Sequence, residues 1–472
     1  MNVSRRSLLA AGLGTVAAGC GTGLRGVPAR PIDAAATSYD PYFPGQGSGG
    51  YLVNHYALDL SYSRTVGVIA GTATVRILPF AALSGLSLDL SSGMSVVSVK
   101  VNGAVAQFDR RPDKLHIRPS AVLPSGRMAL LEIAYTGLPQ PVSVAGVGSV
   151  GWQSVGDGVG VLSLPIGAPT WYPCADAPAL KAAYEISVTA PADLTVLANG
   201  RLVGKASQNF GTKWTYHHDG PMAPFLTTIQ IGDFLVDTAN GPSGIQLRNA
   251  YPRSLASEAS YDLGRQAQML NTFSDLFGSY PFDVFGTAAL DGLPVAHFGV
   301  QTLGLQQSSL IDGKRTNEDV VARGVAHQWF GASVSPATWR DIWLSSGFAT
   351  YGAWLWSERS GRSSADTLAR AAMVQLRGMA QDIVLADPGA RRILDSRVEL
   401  RGACFLHALR LNMGDTSFFQ LLHVWCNRNQ SGSAQTGDFT NLVPDVYSGQ
   451  DLTDVMTDWV LKAPLPVLPD QS

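Results

Sequence analysis

The fold turns on Val320-Val321-Ala322-Arg323-Gly324-Val325-Ala326-His327-Gln328-Trp329-Phe330-Gly331. Asn317 stands where a helix N-cap is expected, and Glu318 and Asp319 put carboxylates in the first turn, where the helix dipole favours them. Helical spacing then places Arg323 and His327 one turn apart on one face. A guanidinium keeps its proton at any physiological pH, so this face displays a fixed cation beside an imidazole.

Two imidazoles one turn apart, with a Glu beside the first, are what a zinc protease of the H-E-x-x-H type needs to hold its metal and activate water. The segment is similar to such a helix with His327 at the second His, Arg323 at the first and Gly324 at the base position. Downstream come Trp339-Arg340-Asp341-Ile342-Trp343-Leu344 and Gly347-Phe348-Ala349. Together with His327-Gln328-Trp329-Phe330-Gly331 they resemble the core of the aminopeptidase N family of gluzincin metallopeptidases. The resemblance implies a third metal ligand nineteen residues after the second His, which falls on Ser346. A hydroxyl is a poor zinc ligand beside imidazole, carboxylate or thiolate.

Other family motifs extend the likeness. Leu293-Pro294-Val295-Ala296-His297-Phe298-Gly299 matches the loop whose Glu holds the substrate amine, and it has Ala296 there. Val398-Glu399-Leu400-Arg401-Gly402 matches the segment whose Tyr stabilises the oxyanion, and it has Glu399 there. Scaffold segments remain family-like, among them Pro169-Thr170-Trp171-Tyr172-Pro173-Cys174 and Phe277-Gly278-Ser279-Tyr280-Pro281-Phe282. The resemblance implies an α+β multidomain fold: an N-terminal antiparallel, saddle-like β-sheet domain, then a mainly α-helical thermolysin-like domain. It corresponds to the short, two-domain form of the family.

The residues themselves agree. Leu58–Tyr62, Ala73–Ile77 and Leu130–Tyr135 alternate with period two, Leu226–Ile231 is a further strand candidate, and Asn102-Gly103 marks a turn. Helical periodicity sets in after about Ser257, and Gly414 is placed to end a helix beginning near Arg401, with Asp415 capping the next. The expected organisation is a signal segment at 1–20, a flexible tether at 21–50, a β domain at 51–245 and the degenerate metallopeptidase-like domain at 246–472.

Ser4-Arg5-Arg6-Ser7-Leu8-Leu9, the short apolar run that follows and Ala17-Ala18-Gly19-Cys20 resemble a bacterial lipoprotein signal with paired arginines. The expectation is a protein exported, by the twin-arginine or general secretory route, and anchored in the cell envelope by a lipid on Cys20. A net charge of −2 gives no basic footprint for nucleic acid. Cys404 and Cys426 are open to oxidation in that compartment, and Cys174 reads as a small buried hydrophobe.

These substitutions lead to the expectation of a catalytically inactive aminopeptidase homologue with no cofactor, zinc being lost, that binds a peptide or an envelope protein. Arg323, His327, Ser346 and His297 are the candidate cleft-binding residues. The Arg323 cation is expected either to bind an anion or to pair internally with Glu399 or Glu318. The alternative is an active zinc aminopeptidase with relocated ligands drawn from His297, Glu318 or Glu399. A serine hydrolase has no Gly-x-Ser-x-Gly elbow to support it.

Overall fold

The period-two alternation is realised in three neighbouring strands, Tyr51–Ser63, Val68–Pro79 and Ala129–Gly137. Tyr56, Leu58 and Leu60 on one, Ala73, Val75 and Ile77 on the next, and Leu131, Ile133 and Tyr135 on the third turn the same way into the core. They lie in an eight-stranded sheet with Ala182–Ala190, Gly211–Met222 and Arg201–Gln208 on one side and Met94–Val101 and Ala104–Val105 on the other. The pairings are antiparallel except one: Ala182–Ala190 runs parallel to Tyr51–Ser63, entering only after a long excursion through the other sheets. Asn102 and Gly103, both at positive φ, make the turn between the last two strands.

The computed structural model describes residues 31–34, 40–156, 158–293 and 295–470. The signal segment, Cys20 and the first part of the tether lie outside the described residues, as does Pro294. Where it is described, the stretch expected as tether is part of the folded body. Ile32–Ala34 pairs with Leu83–Asp89 in a four-stranded sheet. The Asp40 carboxylate accepts from the Trp339 and Tyr42 amides at 2.7 and 2.8 Å, and Gly47 donates to Asp89 at 2.8 Å. Gly/Ser-rich composition reads as flexible linker from sequence, but here the backbone donors find buried carboxylates.

A five-stranded sheet of Val142–Val144, Gly148–Val155, Gly158–Leu162, Ile229–Gly232 and Thr195–Ala198 completes the β part. Its strand at Ile229 starts later than the sequence suggests. Pro224–Leu226 forms a single 3-10 turn, closed by the Thr227 hydroxyl donating to the Pro224 carbonyl at 2.6 Å.

The chain then becomes mainly helical: α1 (Ala256–Asp262), α2 (Gln266–Phe277), α3 (Glu318–Ala326), α4 (Trp343–Arg359), α5 (Ala365–Arg377), α6 (Ser396–Asn429), α7 (Thr436–Val446) and α8 (Thr453–Met456). A mixed sheet stands beside them, and its hairpin Phe234–Asn240 and Gln246–Pro252 straddles the expected junction at residue 245. Its inner strands, Thr287–Leu290 and Leu303–Gln307, are buried almost throughout and so show no alternation to read. Gly414 breaks α6 at φ 74°, as its sequence suggests, although the helix begins earlier, at Ser396, with the Asp395 carboxylate accepting from the Arg397 amide. Asp415 pairs with Arg410 instead of capping.

Two features set the helical layer. α4 and α6 cross at Gly347 and Gly402, where a Cβ on Gly347 would lie 2.9 Å from the Gly402 Cα. Asp341 accepts from the Thr338 hydroxyl and from both the amide and hydroxyl of Thr436, each at 2.8 Å, tying the turn before α4 to the start of α7. Among the described residues, no helix is long and apolar enough to cross a membrane.

Candidate functional site

α3 carries Arg323 and Gly324 in its last turn, and His327 follows as its C-cap with its amide donating to the Arg323 carbonyl at 2.9 Å. Asn317 occupies the N-cap position without capping: its side chain donates to the Leu310 carbonyl at 2.9 Å. Gln328 fixes the next wall. Its side-chain oxygen accepts from the Thr302 amide at 2.7 Å and its amide donates to the Val300 carbonyl at 3.0 Å, holding the strand His297–Val300 against the helix. Gly299 makes that approach feasible, since a Cβ there would lie 2.5 Å from the His327 ring.

The structure brings together all four candidate cleft residues. Arg323, His327, Ser346 and His297 line one cavity of about 170 Å³, with Gly324, Ala296 and Glu399 also on its wall. Arg323 and Glu399 form an ion pair at 2.7 Å, each side chain 20% exposed, so the first-His position and the oxyanion-Tyr position are joined to each other. Glu318 plays no part here. It is buried and paired with Arg265 and Arg362 at 3.2 and 3.3 Å, which removes it both as a partner for Arg323 and as a substitute ligand.

His327 is buried, and burial together with the neighbouring Arg323 cation pushes its pKa down to about 3. His297 is lowered to about 3 by burial, then by Arg323 and His327. Both imidazoles are neutral at pH 7. Ser345, which the sequence reading passed over in favour of its neighbour, shares a 3.1 Å hydrogen bond with His327 Nε2. The pair is not a nucleophile and base. His327 Nδ1 is buried and has no hydrogen-bond partner among the described residues, so no carboxylate steadies the imidazolium that proton transfer would create, and Arg323 opposes it. Ser346 Oγ donates to the Ile342 carbonyl at 3.3 Å within its own helix. Leu164, Phe225 and Leu394 also face the cavity; Phe225 belongs to the family-like segment Pro221–Leu226, and nothing in the local sequence marks Leu164 or Leu394.

Comparison with known proteins places this architecture. Residues 52–226 match the model of the peptidase M1 N-terminal domain and residues 283–459 that of the peptidase family M1 domain. A leucyl aminopeptidase of Saccharolobus solfataricus is 22% identical over 445 residues, covering 88% of this chain and 54% of its own length. A probable M1 family aminopeptidase of Encephalitozoon cuniculi is 25% identical over 333 residues, covering 64% of this chain and 38% of its own. The chain thus spans about half or less of the length of these curated relatives. A crystal structure of a mutant M1 zinc metallopeptidase from Deinococcus radiodurans, bound to a Tyr-Ser-Ala substrate, superposes with a TM-score of 0.83 at 29% identity, covering 91% of this chain and 99% of that one.

The expectation of no cofactor is corrected by these relatives: the family points to zinc, and nothing observed here shows zinc to be lost. The side chains at the three family positions nevertheless do not fit the metal as they stand. Of Arg323, His327 and Ser346 only the imidazole is a zinc donor, and its Nε2 is turned to Ser345. His297 and Glu399 share the cavity, but Glu399 is committed to Arg323. With both domain models matched in order and a two-domain structure superposed over nearly its whole length, the chain belongs to the M1 peptidase family.

Proposed function

We propose that this protein uses its M1 cleft to bind a peptide-like ligand without the family's hydrolytic chemistry, as a lipid-anchored protein of the cell envelope. The observation that carries the reading is the Arg323–Glu399 ion pair, which puts a cation at the first-His position and an acceptor where the transition state needs a donor. Gly324 has no group to take a proton from water, and Ala296 none to hold a substrate amine. The ligand class is suggested by the relative solved with a Tyr-Ser-Ala substrate. The envelope location rests on the Arg5-Arg6 pair and the Cys20 box, and a Cys20→Ser form that stays in the membrane fraction would overturn it.

The decisive experiment assays a panel of aminoacyl p-nitroanilides, with and without added zinc, beside calorimetric titration with short peptides. Binding without turnover is expected. A second reading, an aminopeptidase holding zinc through other donors, is favoured by the family's metal and by His297 and Glu399 sharing the cavity with His327. Zinc-dependent turnover abolished in His327→Ala would replace the first reading with the second.

A further inference from the structure

Far from the cleft in sequence, the β part exposes four large apolar residues on neighbouring segments. Ile32, Phe80, Val122 and Met128 are 45, 58, 48 and 51% exposed. Backbone hydrogen bonds stitch together the segments that carry them. The Phe80 amide donates to the Gly50 carbonyl at 2.9 Å, and a Cβ on Gly50 would meet Ile32 Cδ1 at 3.8 Å. The Ser125 hydroxyl donates to the Phe80 carbonyl at 2.7 Å and the Gly126 amide to the Pro79 carbonyl at 2.9 Å, which lays the loop at 122–128 alongside. Leu83, the strand partner of Ile32, exchanges both backbone hydrogen bonds with Leu123. Single apolar residues are ordinary on a protein surface, but a contiguous group marks a place that something covers.

We propose that this patch rests on the lipid bilayer and sets the orientation of the protein there. The inference rests on the reading of Cys20 as lipid-bearing and deepens it. Pro31 follows Cys20 by eleven residues. Even fully extended, that length reaches only about 40 Å, against a width of roughly 55 Å for a globule of this many residues. A bilayer that holds Cys20 is therefore within reach of the face around Ile32 and out of reach of the opposite one. Charge agrees. Residues 21–30 contain Arg25 and Arg30 and no acidic residue, and Arg127 is exposed beside Met128, which suits anionic headgroups. The carboxylate on the entering strand, Asp33, lies 3.4 Å from the His116 ring. A second copy of the chain fits less well, because four half-exposed side chains fall far short of the roughly 800 Å² per partner of a standard protein interface. The patch orients and does not anchor. A single myristoyl chain holds a protein only marginally, and this patch brings less apolar surface, so it engages once the lipid has made the contact local.

The test uses the full chain purified from membranes and reconstituted on vesicles of phosphatidylethanolamine and phosphatidylglycerol, recovered by flotation. Phe80→Cys and, as a control on α5, Val374→Cys are labelled with an environment-sensitive fluorophore; both native side chains are exposed, and the described native cysteines are buried. With brominated lipid in the vesicles, the probe at 80 should lose fluorescence and the probe at 374 should not. Ile32→Ser with Val122→Ser should reduce that loss while the protein still floats. Flotation with neither probe quenched, or with both quenched alike, overturns the proposal and leaves the anchor standing. A blue-shifted probe at 80 that lipid does not quench shows another protein surface on the patch, and also overturns it. Failure of the full chain to float overturns the proposal and the anchor together.

Discussion

Arg323 Nη2 lies 2.7 Å from Glu399 Oε1, joining the last turn of α3 to the first turn of α6 across the cleft. Two positions that serve separate purposes in the family resemblance are here one electrostatic unit. Removing one partner leaves a partly enclosed charge uncompensated, and removing both does not. In urea unfolding, Arg323→Met and Glu399→Gln should therefore be non-additive, with a coupling of roughly 0.5–3 kcal/mol. Effects that add within about 0.5 kcal/mol would show that the pair contributes nothing to the fold.

Gly324 on the cleft wall and Gly347 at the α4–α6 crossing should respond to alanine in opposite directions. Gly324 lies within α3, and a Cβ there meets nothing nearer than the Gly304 Cα at 3.7 Å, so Gly324→Ala should stabilise by up to about 1 kcal/mol through helix propensity. Gly347 faces the Gly402 backbone, and the 2.9 Å approach should make Gly347→Ala cost about 1–3 kcal/mol. Thermal unfolding of the two variants side by side is the check, and shifts of the same sign would contradict the packing described.

Lys181 predicts a pH dependence. Its ammonium donates to the Ala332 and Ser333 carbonyls at 3.0 and 2.9 Å, just beyond the cleft helix, and burial lowers its pKa from 10.5 to about 7. Between those values the unfolded chain holds a proton that the native protein has released. This contribution to stability is therefore complete above about pH 10.5 and is lost as pH falls towards 7. Denaturant midpoints should rise across that window, and the rise should flatten in Lys181→Met; an unchanged slope would remove Lys181 as its source.

The described cysteines should be inert in the native state. Cys174, Cys404 and Cys426 are free and buried. Burial raises all three thiols, Cys404 to about 12 and Cys174 further through Asp176 and Asp89. A Cys20→Ser form should show no reaction with a thiol reagent until urea is added, and then three thiols. Two of them missing under denaturation would indicate a Cys404–Cys426 disulfide.

Much of this was legible in the sequence because it depends on local pattern. Alternation in Tyr51–Ser63 and its neighbours follows from a sheet with one buried face, and the break at Gly414 from a residue that alone takes positive φ without strain. The four cleft residues could be gathered because the spacing of Arg323, His327 and Ser346 is intrinsic to two helices and the motif around His297 sits at a fixed place before them. What escaped depends on distance through space. Asp40 hydrogen-bonding Trp339, Ser345 rather than Ser346 meeting His327, and the choice of Glu399 over Glu318 by Arg323 have no signature in linear order. The buried strands at Thr287–Leu290 and Leu303–Gln307 escaped for a different reason, since enclosure on both faces erases the alternation that would announce them.

Where α4 and α6 touch at Gly347 and Gly402, main chain rests on main chain. Ser346 and Glu399 stand beside that crossing, and neither side chain takes part in it. The frame of the cleft is consequently indifferent to what it displays. Ser346 can be exchanged at little expense to folding, and Glu399 together with its partner Arg323, so the chemistry of the chamber can change while its walls stay intact. What the fold supplies at the cleft is a shape, and its occupant is set by a handful of replaceable side chains.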